Sequence, residues 1–197
     1  MIPPRPALDE SQRLGLLRIA RVAIAGAIGS DEAGAGAATQ GSSGEGGEPE
    51  GVLEEPWGAF VSVHVDGRLR GCVGMISPRQ SLRETVRECA QAAATRDTRF
   101  HALSREELSR ARIDISVLTP PVPVAEFGTI EVGRHGLIVS RGHQRGLLLP
   151  QVASEEGWNR ETFLDHTCRK AGLPPGDWRR GASVEMFEAV VFGDDAP

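Results

Sequence analysis

Apolar residues change period several times along this chain, and each change marks an element. Asp9-Glu10-Ser11-Gln12 has the form of a capping box, and Leu14, Leu17, Arg21, Ile24 and Ile28 follow at helical spacing, with Gly29 as a stop. Beyond residue 56 the period falls to two: Ala59-Phe60-Val61-Ser62-Val63-His64-Val65 alternates, Asp66-Gly67 is a two-residue hairpin turn, and Arg68 to Gly74 is the return strand. Ser81-x-x-Glu84 opens a second helix with Leu82, Val86, Cys89 and Ala93 on one face, and Ser104-x-x-Glu107 opens a short third. Ile113 to Val117 reads as a strand, after which Pro120, Pro121 and Pro123 forbid central-strand pairing. Short strands are predicted near 129–132, 137–140 and 146–149. Asn159 caps a helix bearing Phe163, Leu164, Thr167 and Cys168 and ending at Gly172, and Val184 to Phe192 is a last strand. Hairpins interleaved with helices predict an α+β fold with a mainly antiparallel sheet flanked by helices.

The 197 residues suffice for one domain, and 40% hydrophobic with 25% charged residues is a globular composition. Charge then singles out one segment. Residues 29–56 carry seven of the 27 acids, no Lys or Arg, and eight of the 24 glycines; without them 20 acids face 22 bases. Such a stretch cannot bury enough apolar surface to offset its ordering entropy, so it reads as an acidic, Gly-rich flexible loop within a single domain spanning 1–197. No apolar run reaches the length of a membrane span, and the first residues lack the apolar core of a secretory leader. With three widely spaced cysteines, a reducing, cytoplasmic setting is expected. No Cys-x-x-Cys or His-Glu-x-x-His spacing occurs, so no metal and no cofactor are expected.

The chemistry gathers on the hairpin. An uninterrupted register opposes Val65 to Arg68, Val63 to Arg70 and Val61 to Cys72, which puts Cys72 and Arg70 on one face and His64 on the other. A guanidinium beside a thiol favours the thiolate, and Gly71 and Gly74 would let a ligand or another backbone approach. The same residues also suit a buried strand cysteine next to a bulge.

Leu69-Arg70-Gly71-Cys72-Val73-Gly74 resembles the six-residue signature of the AMMECR-type domain family. The likeness continues in order through Asp97-x-Arg99-Phe100, Ile115-Ser116-Val117-Leu118, His135-Gly136-Leu137-Ile138, Gly146 to Ala153, Trp158, Phe163-Leu164 and Cys168 to Leu173, covering about residues 10 to 192. The chain departs from the pattern in its long acidic insertion and in His101, where relatives commonly have proline. The resemblance implies an α+β fold with a smaller subdomain beside a cleft, no established activity, and a shared pathway with Memo-like and radical-SAM proteins.

Cys72 is accordingly the candidate catalytic residue, with Arg70, Gly71, Gly74, His64, Arg99, Phe100, His135 and Gln151 as candidate binding residues. Each has a plainer reading: His64 as an ordinary strand residue, His135 in a turn at positive φ, Gln151 bonded to its own turn, Arg99-Phe100 as a helix-end anchor. Cys89 and Cys168 fall on apolar helix stripes and read as core. Arg134, Arg141 and Arg145 form a basic cluster, but aromatics are 5% and Tyr is absent, a poor basis for nucleic-acid binding. Two functions stay open. One is a small domain handling a small-molecule or protein substrate through Cys72 and Arg70; the other is a non-catalytic module binding a protein or an anion.

Overall fold

The Asp9/Gln12 capping box forms as written. Gln12 N–H donates to Asp9 Oδ1 at 2.8 Å and Asp9 N–H to Gln12 Oε1 at 3.0 Å, and helix α1 (Glu10–Gly29) follows, burying Leu16, Leu17, Ala20, Ala23, Ile24 and Ile28. This is seen in a computed structural model that describes residues 2–29 and 51–194. The chain divides into two compact units. Among the described residues the larger comprises 6–29, 51–117 and the last strand's end at 191–194, and the smaller comprises 2–5 and 118–190.

In the larger unit, α1 packs on α3 (Leu82–Thr95), and α3 lies on the hairpin of β1 (Gly58–Val65) and β2 (Arg68–Met75). Ala59, Val61, Val63 and Val65 of β1 are buried together with alternate residues of β3 (Ala111–Leu118), namely Ala111, Ile113, Ile115 and Val117. Between β1 and α3 comes α2 (Gly51–Glu54), whose Leu53 is buried in the same core. Of the segment 29–56 expected as a loop, Gly29 closes α1, 51–54 form α2 with Leu53 buried, and residues 30–50 lie outside the described residues. Ser104 and Glu107 complete a second capping box at the start of the short α4 (Arg105–Ser109).

The hairpin corrects the expected register. Asp66 at φ 51° and Gly67 at φ 74° make the turn, and His64 opposes Leu69 as expected. A β-bulge then intervenes: Val63 opposes Gly71, Ser62 opposes Cys72 and Val61 opposes Val73, with Arg70 the extra residue. Because side chains alternate, one inserted residue turns everything beyond it over. Cys72 thus shares a face with Ser62 and His64, not with buried Val61.

In the smaller unit, β5 (His135–Arg141) pairs antiparallel with β6 (Gln144–Leu148) and with β7 (Ser183–Gly193), which also pairs with the two-residue β4 (Val122–Pro123). Helix α6 (Arg160–Lys170), capped by Asn159, covers β5 and β6 around Phe163, Leu164, Cys168, Leu137 and Val139. The strand expected at 129–132 is absent. A 3-10 turn at Phe127–Thr129 and a further turn over 132–134, with Gly133 at φ 86°, stand there instead. Pro150 opens the six-residue helix α5 (Pro150–Glu155) rather than a simple turn. The hydrogen-bonded order β2-β1-β3-β7-β5-β6, with β4 on β7, makes an α+β fold with an antiparallel sheet. Among the described residues no helix is long and apolar enough to cross a membrane.

Candidate functional site

The bulge sets the contents of one strand face. Ser62 Oγ donates to Cys72 Sγ at 3.2 Å, and two residues along β1 His64 Nδ1 lies 3.2 Å from Asp114 Oδ2 of β3. The other Asp114 oxygen accepts from Arg112 Nη2 at 2.8 Å and Nε at 3.2 Å. Phe60 belongs to the same face, and its ring fills the space a side chain at Gly74 would take, since a Cβ there would lie 2.3 Å from the ring. Gly71 is required on the other side: a Cβ there would stand 1.9 Å from the Ala93 carbonyl oxygen of α3. Both glycines are thus occupied by the protein's own packing. Cys72 is half-buried, whereas Cys89 and Cys168 are core residues; burial pushes the Cys89 thiol up to about 12 and raises that of Cys168.

The main chain of Cys72 is held from both sides. Its N–H donates to Asp97 Oδ2 at 2.9 Å, and its carbonyl accepts from Arg99 Nη2 at 3.3 Å. Asp97 in turn accepts from Arg99 N, Nε and Nη2 at 3.2, 2.9 and 2.7 Å. Those Arg99 bonds hold the Asp97 carboxyl far below the usual carboxylate range, against the opposing effect of burial and with help from the Cys72 N–H. Arg70, placed by the bulge, makes a two-pronged bond to Glu107 (Nε–Oε1 2.7 Å, Nη2–Oε2 3.1 Å) and reaches the His101 carbonyl at 3.4 Å. The Phe100 ring lies 5.8 Å from Arg70 Cζ and 5.3 Å from Arg99 Cζ. The guanidinium that touches Cys72 is therefore that of Arg99, and Arg70 ties the hairpin to α4.

His135 and Gln151 belong to the smaller unit and do not join this group. His135 opens β5, buried, with no positive φ, which corrects the expected turn position. Its Nδ1 accepts from the Glu131 N–H at 3.0 Å and its Nε2 is 3.8 Å from Glu188 Oε1. Burial lowers its pKa first, seconded by Arg134. Glu188 is also held by Arg5 at 2.5 Å and Arg134 at 2.7 Å. Gln151 Oε1 is buried without a hydrogen-bond partner among the described residues. The basic cluster is neutralised locally: Arg134 pairs with Glu188, Arg141 with Asp177 and Arg145 with Glu185. Among the described residues no group of three or more His, Cys, Asp or Glu could hold a metal ion.

Reading the sequence alone singles out Cys72, Arg70, Arg99, Phe100 and His64 but passes over Ser62, Asp97, Glu107 and Asp114. Asp97 was the accessible one, within the Asp97-x-Arg99-Phe100 motif and two residues before Arg99. The others depend on the bulge or on pairings 37 and more residues apart.

Known proteins agree with this architecture. An uncharacterised protein of Pyrococcus horikoshii, PH0010, has a crystal structure that superposes with a TM-score of 0.81 at 35% identity, over 93% of this chain and 91% of that one. Proteins from Methanosarcina mazei and Methanothermobacter thermautotrophicus are 41% and 45% identical over 151 residues, 74% and 73% of this chain and 76% and 79% of theirs. The AMMECR1 family profile matches residues 17–192, and the chain belongs to the AMMECR1 family.

Proposed function

We propose that this protein handles a small electrophilic substrate on the Cys72 thiol. The observation that carries the reading is the placement of that sulfur. Of three cysteines it alone is half-exposed, its main chain is fixed on both sides by Asp97 and Arg99, and the Ser62 hydroxyl donates to it. A nucleophile held this way loses little freedom on meeting its substrate, and a thiolate forming there has a donor already in place. Arg70 contributes by fixing the hairpin through Glu107 rather than by meeting the substrate. The Memo-like and radical-SAM proteins implied by the family resemblance are the first sources of substrate to test.

The native protein should take up one equivalent of iodoacetamide at Cys72 faster than free glutathione does, as read by peptide mass spectrometry. Cys89 and Cys168 should react only after denaturation, and Cys72→Ser should abolish the uptake without lowering the melting temperature. A native Cys72 that reacts no faster than glutathione would sink the thiol reading in favour of a non-catalytic protein- or anion-binding module.

A further inference from the structure

We infer that Arg99 recognises an anion at the Cys72 site, and that the electrophile this thiol takes carries a carboxylate beside its reactive carbon. The inference rests on the thiol reading above and names its substrate class. A guanidinium has five N–H donors fixed in one plane. Arg99 spends three of them: Nε on Asp97 Oδ1 at 2.9 Å, and Nη2 on Asp97 Oδ2 at 2.7 Å and on the Cys72 carbonyl at 3.3 Å. Among the described residues Nη1 makes no hydrogen bond, so both of its N–H groups are open. Arg70 is used more fully, with Nε and Nη2 on Glu107 and both Nη atoms on the His101 carbonyl. Of the two arginines beside Phe100, Arg99 is therefore the one with donors to give.

The charges are layered in a way that favours an incoming anion. The Asp97 side chain is 6% exposed and that of Arg99 51%, so the carboxylate lies beneath the guanidinium and the cation faces solvent. Glu107, the other carboxylate of the group, is taken by Arg70. Asp97 and the Phe100 ring, 5.3 Å from Arg99 Cζ, hold the guanidinium in place before any ligand arrives. The bond to Asp97 raises the Arg99 pKa, burial opposes this, and the Cys72 side chain adds to the rise, as it does only for a cation close to the sulfur. Nη2 already touches the main chain of Cys72, and Nη1 sits on the same carbon as Nη2, so its open N–H groups border the residue that bears the thiol. Two donors on one nitrogen suit a single carboxylate; a phosphate dianion asks for more donors and more positive charge than a half-spent guanidinium has left.

Iodoacetate is the simplest probe of this chemistry, and iodoacetamide is its neutral counterpart. With either reagent the thiol proton passes to the buffer base, the sulfur electron pair forms the bond to the methylene carbon, and iodide leaves with the electrons of the carbon–iodine bond. The carboxylate of iodoacetate takes no part in the bond changes and stays on Arg99 Nη1.

The test is the ratio of the iodoacetate to the iodoacetamide alkylation rate at Cys72 in the full chain, against the same ratio for the neutral thiol 2-mercaptoethanol. The ratio at Cys72 should exceed the reference at least about fivefold, the size of one charge-assisted hydrogen bond in a partly exposed site. Arg99→Gln should bring it back to the reference. Arg99 also helps to hold the Cys72 main chain, but losing that support would slow both reagents alike and leave their ratio where it was. If Arg99→Gln lowers the melting temperature, Arg99→Lys decides: its one nitrogen is taken up by Asp97, so the preference should again be lost. A wild-type ratio at or below the reference overturns the carboxylate assignment and leaves the thiol reading standing. A preference that survives both variants overturns the role of Arg99. A wild-type Cys72 that reacts with neither reagent overturns the thiol reading itself.

Discussion

At Gly71 the hairpin and α3 meet backbone to backbone, and nothing there can give way. A methyl group would sit 1.9 Å from the Ala93 carbonyl oxygen, so strand or helix must move. Gly74 is equally crowded in distance, 2.3 Å from the Phe60 ring, but that neighbour is a half-buried side chain able to rotate. Gly71→Ala should therefore cost about 3 kcal/mol or more, and Gly74→Ala about 1 kcal/mol, both by urea denaturation at constant slope. Equal costs would mean that the strand–helix approach is looser than described. Because Phe60 shares the face of Ser62 and Cys72, Gly74→Ala should also change the alkylation rate of Cys72, which would separate crowding at the thiol from loss of stability.

Side-chain bonds tie elements to one another, and Arg70–Glu107 ties β2 to α4. Its two ends are 21% and 26% exposed, it is two-pronged, and Glu107 also serves the Ser104 capping box. The Arg110–Asp66 pair reaches the tip of the same hairpin with ends 51% and 60% exposed. A double-mutant cycle to Ala should give a coupling of about 1–2 kcal/mol for the first pair and at most about 0.5 kcal/mol for the second. Equal couplings would show that Arg70 is not a tether, and would return it to the candidates for substrate binding. This scale also marks how far the residues could be read in advance. The caps at Asp9, Ser81, Ser104 and Asn159, the Asp66-Gly67 turn and the alternation of β1 are local signals, and each is found in place. The bulge at Arg70 is not local. Arg68 to Val73 carries no break in alternation that would locate an extra residue, and only the fit of Gly71 against Ala93 and of Cys72 against Ser62 fixes it. The same holds for His135, whose neighbour Gly136 suggests a turn, while its place at the start of β5 comes from pairing with Glu188 of β7, 53 positions on. Six residues of α5 are too few for helical periodicity to register, and in the failed strand at 129–132 only Ile130 is buried. Cys72, Arg70, Arg99 and Phe100 were legible as names from one short motif and its partner near 97–100, but which guanidinium serves which group was not.

Across the whole molecule the charged groups predict a stability that falls on acidification in two stages. Asp97, Glu107 and Glu188 all have folded pKa values below their ordinary ones. Arg99 bonding dominates for Asp97 and Arg70 bonding for Glu107; for Glu188, burial pushes upward but Arg5 and Arg134 together outweigh it. A depressed carboxylate stabilises the fold fully above its unfolded pKa, near 4, and that stability is lost as pH falls through the folded value. His135 acts the same way at higher pH for a different reason. Burial keeps its imidazole neutral, with Arg134 and Arg5 adding to the effect and Glu131 and Glu188 opposing it. The unfolded chain therefore takes up a proton near pH 6.5 that the folded chain refuses, and stability declines below that point. Melting temperatures taken from about pH 8 to pH 3 should show a shallow decline starting near 6.5 and a steeper one below about 4.5. His135→Asn, whose amide oxygen can still accept the Glu131 N–H in place of Nδ1, should remove the shallow stage and keep the steep one. Asp97→Asn should soften only the steep stage. The opposite result is equally readable: if the wild type grows more stable between pH 7 and 5.5, and His135→Asn cancels that gain, then the 3.8 Å approach to Glu188 makes an ion pair of His135 and outweighs its burial.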